Sequence, residues 1–151
     1  MRRAWSWCLS RYYRRLGDAH RHFGNVYGNQ RDYWFAIESY SRAAVLDPDY
    51  AQVYFSRGVL YWREIGNPYR AIQDLTRVLE LDPAWTDAYF NRAMAHKMRR
   101  EWDRAIADLE SFLITGTDDF WCDAARRQLA EMRQELEEAA VLQTNRERRE
   151  R

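Results

Sequence analysis

The chain has 151 residues, of which 46% are apolar, 15% aromatic and 31% charged. That is about one domain's length with ample material for a core, which excludes a disordered chain, a collagen-like fibre and a disulfide-dense scaffold. Its 24 basic residues balance 23 acidic ones to a formal net charge of +1, so no global field draws the molecule to nucleic acid or to an anionic membrane.

Residues 1–16 mix Trp5, Trp7, Leu9, Tyr12, Tyr13 and Leu16 with Arg2, Arg3, Arg11, Arg14 and Arg15, and they are expected to form a short helix packed on the segment that starts at residue 17. The Trp5–Leu9 stretch is too short and too broken for a signal-peptide core. No apolar run reaches the roughly 18 residues of a membrane span. Cys8 and Cys122 fit neither a disulfide framework nor a metal-ligand spacing, which suits a reducing, cytoplasmic setting.

From residue 17 the chain repeats itself. Pro48 and Pro83 stand 35 residues apart, each after Asp. Ala36 and Ala71 lie 12 residues before their prolines, and Tyr40 and Leu75 lie eight before. A third copy places Ala105 and Leu109 34 residues after Ala71 and Leu75, with Gly116 and Thr117 replacing the proline stop. Upstream in each copy a small residue (Gly24, Gly58 or Ala93) sits among larger ones. Apolar residues recur at helical spacing on both sides of a turn, Gly28-Asn29 in the first copy and Gly66-Asn67-Pro68 in the second. Each unit therefore reads as two helices closely packed at small residues, and Asp-Pro ends the second helix. One such hairpin cannot bury its own apolar face, so neighbours must stack. The resulting fold is all-α, a right-handed α-α superhelix, with units at 17–50, 51–85 and 86–118.

Residues 119–142 read as one long capping helix, with Asp118 or Asp119 as N-cap and an apolar stripe at Trp121, Cys122, Ala125, Leu129, Met132 and Leu136. The polar tail, 143–151, is expected to be disordered.

These residues resemble the tetratricopeptide repeat (TPR) family. Its pattern is met by Phe23, Gly24, Tyr27, Ala36, Tyr40, Ala43 and Pro48 in the first copy and by Tyr54, Gly58, Tyr61, Ala71, Leu75 and Pro83 in the second. The third keeps Tyr89, Ala93, Ala105 and Leu109 and departs at His96, Phe112 and Thr117. The resemblance implies a superhelix whose first helices line a concave groove that binds another polypeptide as a peptide or helix. Mapped onto this chain, it points to Arg21 and Asn25 as polar anchors, to Gln52, Phe55, Val59 and Trp62 in the second unit, and to Asp87, Phe90, Met94, Lys97 and Met98 in the third. An open apolar patch of that kind marks an interaction surface. Some family members clamp a C-terminal carboxylate with five polar residues. Here Arg21 and Asn25 suit two of those positions, while Ser56, Asp87 and Asn91 do not, and Asp87 places negative charge where a carboxylate needs positive.

Catalysis is not expected, and neither is a cofactor or metal. His20 and His22 are two apart on a helix and cannot share a ligand, and no phosphate-cradling loop or nucleophile elbow occurs. Asp103, Asp108 and Glu110 read as solvated helix surface. The expected function is a non-catalytic protein-protein interaction scaffold or adaptor in the cytoplasm, with no nucleic-acid partner. Two alternatives are kept: a groove filled by the chain's own Trp5–Trp7 terminus or by a second copy in a homo-oligomer, and an Arg-rich aromatic N-terminus that contacts anionic membrane or RNA.

Overall fold

The computed structural model describes residues 2–149. Seven helices, and no strand among the described residues, run in order: α1 (Arg2–Tyr27), α2 (Gln30–Leu46), α3 (Ala51–Arg63), α4 (Pro68–Leu81), α5 (Thr86–Met98), α6 (Trp102–Thr115) and α7 (Asp119–Arg149). They pair as the hairpins α1–α2, α3–α4 and α5–α6. Each later odd helix also packs on the even helix before it: α3 on α2, α5 on α4 and α7 on α6. The odd helices α3 and α5 touch directly and form one wall of the stack.

The turns repeat as the chemistry of the hairpin requires. Gly28 (φ +63°) and Gly66 (φ +69°) take the left-handed conformation after α1 and α3, and Asn29 and Asn67 then cap α2 and α4 by accepting the Arg31 and Arg70 backbone N–H groups. The third hairpin has no glycine there. Arg100 holds φ 58° itself, inside a closing pair of backbone bonds from Arg100 N–H to Lys97 O and from Glu101 N–H to His96 O. Asp47 and Asp82 end α2 and α4 just before the prolines, their N–H groups bonding back to Ala43 and Val78.

The hairpins close where the small residues were expected. Ala36, Ala71, Ala93 and Ala105 are fully buried. A methyl group on Gly24 would stand 2.6 Å from the Tyr33 ring, and one on Gly58 3.0 Å from Leu75. Gly17 makes an equally close approach to the Tyr40 ring, at 2.6 Å. The core has two parts. One runs through the first two hairpins around Tyr40, Val53, Leu75 and Val78, and the other joins the third hairpin to α7 around Leu109, Phe112, Cys122 and Met132.

Two boundaries, one alternative and one burial differ from expectation. Residues 2–16 are not a separate short helix; they continue α1 through Gly17 without a break, because nothing between Leu16 and Gly17 stops a helix. This also overturns the fold-back alternative: Trp5 and Trp7 stand exposed along α1 at the far end of the stack. Helix α7 continues past 142 to Arg149, through the segment expected to be disordered; residues 150 and 151 of that tail lie outside the described residues. Asp108, read as solvated, is 5% exposed. It accepts two bonds from the Arg92 guanidinium, at 2.7 and 2.8 Å, and Arg92 also donates to Thr76 on α4 at 3.1 Å. Arg57 does the same one unit earlier, with Asp74 at 2.6 and 2.8 Å and Ser41 on α2 at 2.8 Å. Each arginine thus ties its own hairpin to the preceding one.

Candidate functional site

The wall formed by α3, α5 and the start of α7 holds a depression of about 400 Å³ lined by Phe55, Val59, Trp62, Arg63, Asp87, Phe90, Asn91, Phe112 and Trp121. Helix register supplies the first set. Phe55, Val59 and Trp62 are spaced four and three residues apart on α3 and so share a face; Asp87, Phe90 and Asn91 do likewise on α5. The seventh helix contributes Trp121 from its first turn, which Asp118 caps by accepting the Trp121 N–H at 3.1 Å.

The apolar surface is preorganised by ring contacts. Phe55 stacks on Trp85, with centroids 5.3 Å apart. Phe90 lies between Phe112 (5.3 Å) and Trp121 (5.5 Å, edge-on), so it forms the floor, while Trp121 stays about half exposed at 48%. Trp62 bridges α3 to α5 by donating its Nε1–H to Asn91 Oδ1 at 3.1 Å, which leaves the indole only partly covered. Charge is confined to two exposed groups of opposite sign, Arg63 and Asp87. Neither makes an ion pair among the described residues.

Of the residues expected from sequence, Phe55, Val59, Trp62, Asp87 and Phe90 line this depression. The others do not. Arg21 and Asn25 belong to α1, and Asn25 Oδ1 accepts the Tyr33 hydroxyl at 3.2 Å. Burial, then the nearby Glu64 carboxylate, holds that phenol above its ordinary range. Gln52 donates weakly to Ser56 at 3.4 Å. Lys97 is drawn away to α7, its Nζ donating to Gln128 at 2.6 Å and to Glu131 at 3.2 Å. Met94 packs into the second core, and Met98 is exposed elsewhere. Ser56 is buried, so it presents no polar group to the wall.

Arg63, Asn91, Phe112 and Trp121 were not among the expected lining. Arg63 falls one residue beyond Trp62, at the end of α3, and its place follows from the register. Trp121 does not, because its position depends on α7 packing against α6 as the next odd helix.

Among the described residues no helix is long and apolar enough to cross a membrane, and no group of three or more His, Cys, Asp or Glu residues is placed to hold a metal ion.

The fold and its open wall define a class: an α-solenoid of stacked helix hairpins with a concave, partly apolar face. Residues 24–64 match the family model described as TPR repeat, and residues 51–84 match that described as Tetratricopeptide repeat. Among curated protein sequences none matches. Among solved structures, the chain is similar to the Arabidopsis OM64 TPR domain (TM-score 0.71, 21% identity, covering 83% of this chain and 98% of that one). It is also similar to the first TPR of Spaghetti (RPAP3) bound to the HSP90 peptide SRMEEVD (0.67, 24%, 82% and 94%) and to the TPR2B domain of yeast Sti1 in its Hsp70 complex (0.65, 20%, 80% and 98%). The chain thus carries tetratricopeptide repeats within residues 24–84 and has the fold of tetratricopeptide repeat domains.

Proposed function

We propose that this protein is a non-catalytic interaction module that takes a peptide or helix of another protein into the depression between α3, α5 and α7. The single observation that supports this reading is a preorganised apolar hollow, walled by Trp62, Phe90 and Trp121 and left partly open, with one cation and one anion at its rim. An apolar or aromatic side chain of the partner would enter the hollow, contributing about 1.5–3 kcal/mol when fully buried. Arg63 and Asp87 would set the orientation of its flanking charges. The cytoplasmic setting suggested by two free cysteines belongs to the same proposal.

One structural relative is bound to the HSP90 peptide SRMEEVD and another is in an Hsp70 complex, but the residues of this chain speak against a terminal carboxylate as the ligand. Asp87 and Asn91 stand where a carboxylate would need cations, and Ser56 is buried. The expected partner segment is therefore internal, with an apolar anchor.

Selection of displayed peptides on the intact protein tests this. Trp62→Ala combined with Trp121→Ala should weaken selected peptides by about a hundredfold, each lost ring costing roughly a factor of ten or more, with helical circular dichroism unchanged. Undiminished binding would exclude the hollow. The peptide SRMEEVD should bind weakly or not at all, and Asp87→Lys with Asn91→Arg should improve its binding.

A further inference from the structure

We propose that copies of this chain join head to tail, the overhanging half of α7 from one copy lying on the exposed outer face of α1 of the next. This does not rest on the hollow between α3, α5 and α7. It starts from the repeat register. Counted from Gly24, Gly58 and Ala93, the residues five before, one before and two after fall on one helical face. In α3 these are Val53, Arg57 and Leu60, and in α5 they are Ala88, Arg92 and Ala95. That face packs on the preceding even helix, since Arg57 bonds Ser41 on α2 and Arg92 bonds Thr76 on α4. Val53, Ala88 and Ala95 are fully buried there, and Leu60 is 2% exposed.

The same three positions in α1 are Ala19, Phe23 and Val26. Among the described residues no helix packs on this face of α1, and all three are exposed, Val26 at 57%. The stripe continues up the helix through Leu16, Tyr12 and Leu9 at alternating steps of three and four residues. A regular apolar seam at this spacing is what a helix presents to another helix. Its exposed length, Leu9 to Val26, rises about 26 Å.

An unpartnered helix of matching length stands at the other end of the molecule. Met132 is fully buried where α7 packs on α6. Beyond it α7 continues to Arg149, a rise of about 25 Å. Every described side chain from Arg133 to Gln143 is exposed. Leu136 and Ala139 prolong the face that Met132 uses, with no α6 beneath them. Charge favours the pairing in the first turns of the overhang: residues 2–22 carry six arginines against Asp18, while residues 133–138 carry Glu135, Glu137 and Glu138 against Arg133, and Arg146, Arg148 and Arg149 lie further along with Glu147. Arg15 beside the seam, and Glu135 and Glu137 on the overhang, make no ion pair among the described residues. Pairing α1 with α1 would instead set arginines against each other. Since α1 and α7 lie at opposite ends of the stack, the overhang that reaches α1 belongs to another copy, and the contact is heterologous.

Sedimentation velocity of the full chain over a range of concentrations, at low and moderate salt, tests this. The expected result is a weight-average mass that rises with concentration and falls with salt. Tyr12→Asp and Leu136→Asp, both exposed and neutral for the fold by circular dichroism, should each weaken association at least tenfold. A mixture of these two variants should recover dimers and nothing larger, because each supplies one intact half of a single contact. A monomer at every concentration overturns the proposal. So does association that survives Leu136→Asp, which would mean that α1 pairs with itself, or a mixture that stays monomeric. Loss of the wild-type chain onto phosphatidylserine vesicles, without self-association, overturns it in favour of a lipid partner for α1.

Discussion

The first hairpin and the two after it are built on the same register but closed by different chemistry. In α1–α2 the helices approach through two glycines two turns apart, Gly17 against Tyr40 and Gly24 against Tyr33. The Tyr40 hydroxyl donates to Asp18 at 2.8 Å, and burial, aided by that carboxylate, holds the phenol well above its ordinary range. In α3–α4 and α5–α6 an arginine makes the join, bidentate to an aspartate of its own hairpin and singly to a hydroxyl of the one before. The difference follows from position in the stack. Only a hairpin with a predecessor has a hydroxyl for the third arginine bond, and where α1 lacks one, Phe23 occupies the arginine's place and Ser39 the aspartate's. Ser39 bonds back to Phe35 within its own helix instead.

Substitutions can break this contrast or sharpen it. The largest effect is expected for Asp74→Ala, which strands the Arg57 guanidinium with 17% of its side chain exposed. About 3–5 kcal/mol should be lost, read as a fall in the denaturation midpoint. Gly17→Ala should cost about 1–3 kcal/mol, because Tyr40 is fully buried and its ring cannot yield to a methyl group 2.6 Å away; no loss would mean that the close approach is not what shapes the first hairpin. Arg100→Gly should stabilise by about 1 kcal/mol, since glycine holds positive φ without the steric penalty. Phe23→Arg, installing the later hairpins' residue in the first, should change monomer stability by less than about 0.5 kcal/mol. A large gain there would show that the arginine needs no preceding helix.

Much of this architecture is legible in the residues because its signals are local and recur. The Asp-Pro stops, the Gly-Asn turns and the alanines at a fixed distance before each proline act within one helix or one turn, so spacing alone reveals them. The arginine clamps also leave a trace, Arg57 before Asp74 and Arg92 before Asp108. An acid on a helix nevertheless reads as solvated until the partner from another helix is in place, which is why the burial of Asp108 escapes a reading of its own helix. The hollow is half legible for the same reason. Phe55, Val59, Trp62, Asp87 and Phe90 follow from helical register, whereas the loss of Lys97 to Gln128 and Glu131 and the arrival of Trp121 depend on where α7 lies. The boundary expected at residue 17 follows from the start of the repeat period, whereas the helix runs on through it and packs Gly17 against Tyr40.

The shared guanidinium has a consequence for how the molecule opens. Arg57 is held by α2 and α4 at once, and Arg92 by α4 and α6, so freeing α4 from the stack would leave both cations without their anchors on it. Repeat arrays commonly fray one unit at a time from an end, yet here melting α4 would break the Arg57–Asp74 pair and the Arg92–Thr76 bond together. Backbone amides of α3, α4 and α5 should therefore exchange with solvent deuterium as one cooperative block, slower than those in the distal half of α7, which has no such ties.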